Sequence, residues 1–187
     1  MKHGQNNFLR RWLMLISLAL ASCLPATAED QTVSESQLKS AFLYNFTKFV
    51  EWPNAASEAT NAPFTIGVVG DDVFGRRLDE VVRSETVHGH PIVVQRIKRG
   101  DSGSDCQILF ISRSENGNLE SLLKSVAGRP VLTVAETEGS AVRGVMVNLL
   151  VLKGSLKMEI NRAEAQRAQL EIRSDLLKLA KIVTTAK

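Results

Sequence analysis

The sequence is poor in the residues that build disulfide frameworks, metal centres and aromatic cores. Among its 187 residues are 2 cysteines, 3 histidines and 1 tyrosine, and aromatic residues make up 5% of the chain. Cys23 lies in a segment that we expect to be removed on export, so Cys106 has no partner for an internal disulfide. Packing and hydrogen bonds must therefore stabilise this protein.

The chain also lacks an apolar run long enough to span a membrane. Three basic residues precede an apolar stretch from residue 12 to residue 21, which is well short of the roughly 20 residues of a spanning helix. Ala26-Thr27-Ala28 then supplies the small residues of a cleavage site. We predict that residues 1–28 are a signal peptide, cleaved after Ala28, and that the mature protein is periplasmic.

A second way of processing this segment stays open. Leu20-Ala21-Ser22-Cys23 resembles a bacterial lipobox, in which Cys23 would become the lipidated N-terminus and anchor the protein to a membrane. The small residues just downstream favour the free periplasmic form.

An excess of charge of either sign is missing as well. The precursor has 23 Lys and Arg against 20 Asp and Glu, and the predicted signal peptide removes three of the basic residues and none of the acidic ones. The mature chain is therefore balanced, and it has no basic run of the kind that binds nucleic acid. Its length suits one domain, which we place at residues 29–187.

What the chain does contain is an alternation of short β-branched runs and helical patterns. The predicted helices cover residues 34–50, 73–82, 118–126, 161–168 and 175–183, and the predicted strands cover residues 64–69, 92–97, 106–111 and 130–134, with a hairpin at 145–152 and 156–160. This order predicts a single α/β domain with a mixed, mostly parallel sheet of about six strands flanked by helices. The hairpin is expected to extend the sheet as an antiparallel C-terminal pair.

The segment 67–75 has glycines where a strand turns into a helix, which invites a nucleotide-binding interpretation. Its spacing is neither a dinucleotide fingerprint nor a P-loop. Asp71 and Asp72 resemble part of the acidic pocket of phosphoacceptor domains, but the central strand ends in Ser112 and Arg113 and offers no third aspartate. We interpret an aspartate at this position as a helix cap.

The remaining reactive side chains have ordinary structural explanations. His88 and His90 flank Gly89 and are predicted as turn residues rather than metal ligands. Cys106 has apolar neighbours, which raise the pKa of a thiol, so we predict a buried core cysteine rather than a nucleophile. The sequence therefore predicts a protein that is not an enzyme and that has no metal or cofactor.

The most unusual stretch runs from Ala41 to Pro53 and holds three of the seven Phe, the only Tyr and one of the two Trp. Ser34 and Gln37 have the spacing of a capping box and predict the start of the helix that carries these aromatic residues. The side chains of Phe42, Phe46 and Phe49 recur on one helical face and are expected to pack on the sheet.

Four further residues in this stretch are in excess of that core face: Leu43, Tyr44, Asn45 and Trp52. Apolar surface in excess of what a core needs marks partner sites or ligand grooves. We therefore predict these four residues as the surface that binds a partner or a ligand.

Five segments together resemble the YfiR family. They are the aromatic run Ala41–Pro53, the strand and turn Phe64–Gly75, the central strand Cys106–Ser112, the strand Val131–Val134, and the tail from Glu159 to Ala180. The resemblance covers nearly the whole mature chain, and the helix ending in Trp-Pro is its most specific part. Val145 and Gln169 occupy positions where the family pattern has glycine.

The resemblance implies a periplasmic regulator without catalytic activity, built on a mixed α/β sheet flanked by helices and often dimeric. Such a regulator represses an inner-membrane diguanylate cyclase by binding its periplasmic sensory domain, and an outer-membrane, peptidoglycan-binding lipoprotein captures the regulator in turn. Release of the cyclase would raise cyclic di-GMP and favour biofilm. The alternative is a periplasmic small-molecule sensor that holds an aromatic or apolar ligand and acts on another membrane receptor.

Overall fold

The computed structural model describes residues 34–53, 62–98, 101, 103–152 and 155–186. The chain divides into two units, Met1–Thr32 and Val33–Lys187. The predicted signal peptide, its cleavage site and Cys23 lie outside the described residues, and the description below concerns the second unit.

Five α-helices and ten strands are present in the described part of the chain. The helices are α1 (Glu35–Phe49), α2 (Arg76–Val82), α3 (Leu119–Ser125), α4 (Arg162–Arg167) and α5 (Ser174–Leu177), with 3-10 helices at Arg113–Asn118 and Ala141–Arg143. The strands are β1 (Val50–Glu51), β2 (Phe64–Val69), β3 (Thr86–Val87), β4 (His90–Ile97), β5 (Ile108–Ile111), β6 (Leu132–Ala135), β7 (Val147–Leu152), β8 (Ser155–Ile160), β9 (Glu171–Ile172) and β10 (Lys181–Ile182).

Eight of these strands form one mixed sheet in the order β10-β8-β7-β6-β5-β2-β4-β3, and β1 and β9 form a separate antiparallel pair. The strands from β7 across to β4 are parallel, whereas β7 and β8 form the predicted antiparallel hairpin. The α/β fold class is thus confirmed, with more strands than the expected six. The additional strands are short ones of two residues at the sheet edges.

The central strands are buried on both faces, as parallel strands with helices above and below must be. Ile66 and Val68 of β2 point into a core shared with α1 and α2. Val69, at the end of the same strand, belongs to a second core that includes Leu119 and Leu122 of α3. The alternation of side chains along a strand divides these two cores.

Gly67 in β2 is required by the packing of its neighbours. A Cβ atom at this position would lie 2.5 Å from Cδ1 of Ile97 and 2.6 Å from Sγ of Cys106. The side chain of Cys106 is 3% exposed, and this burial, followed by the charge of Asp105, raises the pKa of the thiol to about 11. The prediction of a buried core cysteine is confirmed.

Helix α1 begins as predicted, because the side-chain oxygen of Ser34 accepts a hydrogen bond from the backbone N–H of Gln37 at 3.2 Å. Its buried face differs from the predicted one. The buried side chains are Lys39, Ser40, Leu43, Phe46 and Thr47, whereas Phe42 and Phe49 are half-buried.

The expectation that the three phenylalanines pack on the core is confirmed for Phe46, which is fully buried, and holds in part for Phe42 and Phe49, which are partly buried against that core. The polar residues on the buried face have local partners that make their burial acceptable. Ser40 donates to the backbone oxygen of Ser36, and Thr47 donates to that of Tyr44. A pattern based on apolar residues alone misplaces this face because three of its five members are polar.

Two predicted helices are also wrong in extent. The last helix was expected over residues 175–183, yet α5 ends at Leu177 and the chain continues into strand β10 beside β8. Helix α2 begins at Arg76 rather than at residue 73. Asp72 does cap this region, but its carboxylate accepts from the backbone N–H groups of Phe74 and Gly75 in a turn before the helix.

The turn between β3 and β4 consists of His88 and Gly89, both with positive φ, at 50° and 84°. Two residues with positive φ form the type I′ turn that joins neighbouring antiparallel strands. Nδ1 of His90 lies 2.9 Å from the backbone oxygen of Ala62. The prediction of these histidines as residues of a turn is confirmed for His88, and His90 begins the strand that follows.

Helix α4 ends in a Schellman motif built around an unusual residue. The N–H of Leu170 donates to the carbonyl of Ala165 at 2.9 Å, and the N–H of Gln169 donates to that of Gln166 at 3.0 Å. This pattern requires a left-handed residue, usually glycine, just after the helix. Gln169 occupies it with a φ of 60°, so the position that departs from the expected glycine keeps the backbone of a glycine.

Candidate functional site

A crevice opens where the carboxyl ends of β2, β5 and β6 meet the first turns of α1. Its volume is about 670 Å³, and it is lined by Ser34, Glu35, Ser36, Lys39, Asp71, Val73, Ser112, Arg113, Ser114 and Glu136. Val73 is the one large apolar side chain in this lining. The crevice is therefore a polar site made by four separate segments of the chain.

The position of this crevice follows from the strand order. From β2 the chain moves to β4 on one side, and it then returns to β5 on the other side of β2. Loops that follow β2 and β5 must therefore run in opposite directions, and the space between them stays open. In open α/β sheets, ligands bind in this crevice outside the carboxyl ends of the strands.

Glycine allows the two loops to approach each other closely. Gly70 has a φ of 89°, and a Cβ atom there would lie 2.5 Å from Oγ of Ser114. The next residue, Asp71, donates its backbone N–H to the same hydroxyl at 2.8 Å. This contact joins the loop of Asp71 to the loop of Arg113, and both residues line the crevice.

A buried ion pair forms the inner wall of the crevice. The ammonium group of Lys39 contacts the carboxylates of Glu35 and Glu136, and Lys39 and Glu136 are 2% and 4% exposed. The second oxygen of Glu136 accepts the backbone N–H of Arg113 at 3.0 Å. The pair is satisfied on both sides and connects α1 with the ends of β5 and β6.

Asp72, next to Asp71, belongs to a different network. Arg96 of β4 donates to Asp72 at 3.0 Å and makes two hydrogen bonds to Asp79 of α2, at 2.8 and 2.6 Å. The guanidinium of Arg96 lowers the pKa of Asp79, chiefly through these hydrogen bonds. These contacts fix α2 on the sheet, so only one of the two neighbouring aspartates faces the crevice.

The four residues predicted to bind a partner are distributed differently from the expectation. Leu43 is fully buried and belongs to the core. Tyr44 is half-buried and donates its hydroxyl to the carboxylate of Glu85, while Lys48 lies 4.3 Å from the centre of the Tyr44 ring. The nearby Tyr44 side chain raises the pKa of Lys48.

Trp52 is held by two contacts within the chain. Its indole N–H donates to the backbone oxygen of Gln107 at 3.2 Å, and its ring meets that of Phe64 edge to face, with centroids 5.0 Å apart. Asn45 is half-buried, and its side chain makes no hydrogen bond within the described residues. The structure therefore leaves Asn45 as the member of the predicted set with free hydrogen-bonding capacity.

A row of half-buried residues, which we call the outer stripe, runs along α1 and past β1. It consists of Leu38, Phe42, Asn45 and Phe49 of α1 and of Trp52, which follows β1. The ring of Phe49 lies below the guanidinium of Arg173, 5.8 Å away, and Phe42 contacts Phe46 with centroids 6.3 Å apart. These side chains are partly covered by the core and partly available from outside.

Sequence reasoning missed the crevice, although part of its signal was visible. Asp71 and Ser112 were recognised as residues at the ends of strands, but the comparison with an acidic phosphoacceptor pocket ended at the missing aspartate. Lys39 and Glu136 are 97 residues apart in the sequence, and nothing in the local pattern of either residue indicates burial. Only the strand order brings them together.

Within the described residues, no helix is both long enough and apolar enough to cross a membrane.

Parallel strands with helices on both faces, and a crevice where the strand order reverses, define a doubly wound α/β domain. A family model described as YfiR/HmsC-like matches residues 36–181. This match covers most of the chain, and the protein belongs to the YfiR/HmsC-like family, which confirms the resemblance seen in the sequence. At a coarse level, membership supports a regulatory role in diguanylate cyclase signalling.

Proposed function

We propose that this protein is a periplasmic regulator that represses a membrane diguanylate cyclase by binding the cyclase's periplasmic sensory domain. Residues 1–28 act as a signal peptide in this proposal, and the domain 29–187 acts after export. The observation that carries the proposal is the family match over residues 36–181, which includes the whole of the aromatic helix α1 after its first residue.

Repression of this kind requires a difference in affinity. A regulator shifts the cyclase toward its inactive state only if it binds the inactive conformation more tightly than the active one. An outer-membrane, peptidoglycan-binding lipoprotein that captures the regulator would then release the cyclase and raise cyclic di-GMP. The regulator needs no chemistry of its own for this role, and it acts as a monomer or a homodimer.

The outer stripe of α1 is the surface that we propose for the cyclase. Phe42, Asn45 and Phe49 lie on it at helical spacing and are half-buried, so a partner can cover apolar area that the core leaves partly open. Tyr44 borders this surface, Trp52 lies at its end, and Leu43 is buried in the core behind it. The hydrogen bonds of Tyr44 and Trp52 inside the chain orient their rings before a partner arrives.

The first test is deletion of the gene and measurement of cyclic di-GMP. Loss of a repressor should raise cyclic di-GMP and biofilm, and the wild-type gene on a plasmid should restore both. The purified protein should also recover a membrane cyclase through its periplasmic domain in a pull-down from solubilised membranes. Unchanged cyclic di-GMP, together with no cyclase recovered, would contradict the proposal.

A matched pair of variants tests the surface. Asn45→Arg places a long charged side chain in the outer stripe and should abolish repression, because an unpaired charge at an interface is costly. Gln37→Arg makes the same change at an exposed position of the same helix and should repress normally. Both proteins must show wild-type thermal unfolding for the comparison to hold. Equal repression by the two variants would rule out the outer stripe.

A second candidate function is a periplasmic small-molecule sensor that acts on another membrane receptor. The polar crevice of about 670 Å³ at the strand reversal favours it, since such crevices are the usual ligand sites of open α/β sheets. The lining favours a polar ligand rather than the aromatic or apolar one expected from the sequence. For this function, deletion should leave cyclic di-GMP unchanged while a ligand stabilises the protein by mass action.

A further inference from the structure

We propose that the crevice binds a small zwitterion, a molecule that carries both a carboxylate and an ammonium group, between Arg113 and Asp71. This site is separate from the outer stripe, and the inference does not depend on which membrane protein is the partner. It rests on the charges at the mouth of the crevice, on the polar character of its lining, and on its position at the strand reversal.

The two charges at the mouth come from two loops that contact each other, and they are unpaired. Asp71 and Arg113 lie on either side of the hydrogen bond between the Asp71 N–H and the Ser114 hydroxyl, which measures 2.8 Å. Both side chains are exposed and line the crevice. Within the described residues, neither forms an ion pair, with the other or with a third residue. A ligand with both charges can pair with the two of them at once.

The other charges of the crevice are already satisfied. Lys39 is held by Glu35 and Glu136, and Glu136 also accepts the backbone N–H of Arg113. This arrangement leaves the Arg113 guanidinium to receive a carboxylate and the Asp71 carboxylate to receive an ammonium. A purely anionic ligand would meet Asp71 and Glu35, and a purely cationic ligand would meet Arg113, so each is disfavoured by like charge.

The remaining lining selects for small, polar molecules. Ser34, Ser36, Ser112 and Ser114 place hydroxyl groups around the cavity, and Val73 is its one large apolar wall. Ligand pockets for hydrophobic molecules have mostly apolar and aromatic linings. Two kinds of molecule carry this pair of charges and fit the site. One is a free amino acid, and the other is a short linear peptide with its charged N- and C-termini.

The test is direct binding to the purified domain, followed by NMR of the backbone amides. L-alanine and L-alanyl-L-alanine serve as probes, at concentrations up to about 10 mM for weak sites. Binding should shift the amides of Gly70, Asp71 and Ser114. The relative affinity of the two probes distinguishes the free amino acid from the peptide. N-acetyl-L-alanine, which has no ammonium, and L-alanine amide, which has no carboxylate, should bind roughly tenfold more weakly, as expected from the loss of one charge-assisted contact.

Variants of the two charged residues complete the test. Arg113→Gln and Asp71→Asn should each weaken binding of the better probe by roughly tenfold, whereas Arg77→Gln, at an exposed position of α2, should leave it unchanged. No shift with either probe, equal binding of the blocked analogues, or full binding by both crevice variants would overturn the inference. Because the readout is binding and not cyclic di-GMP, this failure is distinct from failure of the proposed repressor function.

Discussion

Lys39 of α1 and Glu136, which follows β6, form an ion pair in which both side chains are almost fully buried. Burying two charges is costly unless each is paired and hydrogen-bonded. Here both conditions are met, because Glu35 supplies a second carboxylate for the ammonium and the Arg113 N–H binds the far oxygen of Glu136. The helix that carries the outer stripe is thus fixed to the sheet at the inner wall of the crevice.

Removal of one partner of this ion pair should therefore destabilise the folded protein strongly. We expect Lys39→Ala to lower the free energy of unfolding by about 3–5 kcal/mol, because Glu136 stays buried without its counter-charge. Urea denaturation followed by circular dichroism measures this change.

The double variant Lys39→Met with Glu136→Gln should cost much less than Lys39→Ala, since no buried charge is left unpaired. Lys157→Ala, at an exposed position of β8, is the control and should stay within about 0.5 kcal/mol of the wild type. A cost below about 1 kcal/mol for Lys39→Ala would contradict the buried pair.

Gln169→Gly should stabilise the protein. The left-handed conformation at φ 60° costs a residue with a Cβ atom about 1 kcal/mol relative to glycine, and the two hydrogen bonds of the Schellman motif do not involve the side chain. Thermal unfolding should shift upward by a few degrees, consistent with about 1 kcal/mol in a domain of this size.

Gln166→Gly, inside helix α4, should have the opposite effect on stability. There glycine should lower the free energy of unfolding by about 1 kcal/mol, because it is a poor helix former. Destabilisation by both substitutions would show that position 169 does not require glycine geometry.

Gly67→Ala should destabilise the sheet by about 1–3 kcal/mol through overpacking, since the new methyl group meets Cδ1 of Ile97 and Sγ of Cys106. Ile97→Val removes the atom that lies 2.5 Å from the added methyl, and it should recover part of the loss when combined with Gly67→Ala. Urea denaturation of the two single variants and the double variant gives the coupling energy. Simple additivity would argue against a direct clash.

Stability should fall at alkaline pH in a manner that depends on Cys106. Burial raises the pKa of this thiol from 9.0 to about 11, so the unfolded chain loses its proton first as the pH rises. The stabilisation is fully present below pH 9.0 and is lost progressively between 9.0 and about 11.

Between pH 8 and pH 10, this group should lower the free energy of unfolding by about 1 kcal/mol. The measurement compares urea denaturation of the wild type and of Cys106→Ala at the two pH values, because other groups titrate equally in both proteins. The same pH dependence in both would mean that the thiol is not responsible.

The sequence was sufficient for the parts of the fold that local patterns define. The Ser34 cap, the central apolar strand (predicted over 106–111 and present over Ile108–Ile111) and the antiparallel hairpin were predicted because each depends on residues close together in the chain. The tail beyond Leu177 was mistaken for a helix, because its apolar spacing suits a helix while its place beside β8 makes it a strand. Tertiary context overrides propensity there.

The candidate sites were less accessible to sequence reasoning. Asn45 was included in the predicted surface and is half-buried on the outer stripe, but Leu43, two residues earlier, is in the core. The crevice needed the order of β2, β5 and β6, which no local pattern contains. Its key polar residues, Lys39 and Glu136, would be assigned to the surface by composition alone.

Strand β1 lies near the start of the domain and pairs with β9 near its end, and this pairing affects the order in which the domain folds. Val50 is opposite Ile172, and the N–H of Arg173 donates to the carbonyl of Phe49 at 2.9 Å. Contacts so far apart in sequence form late, because a long loop must close before they contribute. Helix α1 therefore completes its docking late in folding, and a chain shortened by its final segment would expose the aromatic helix to aggregation.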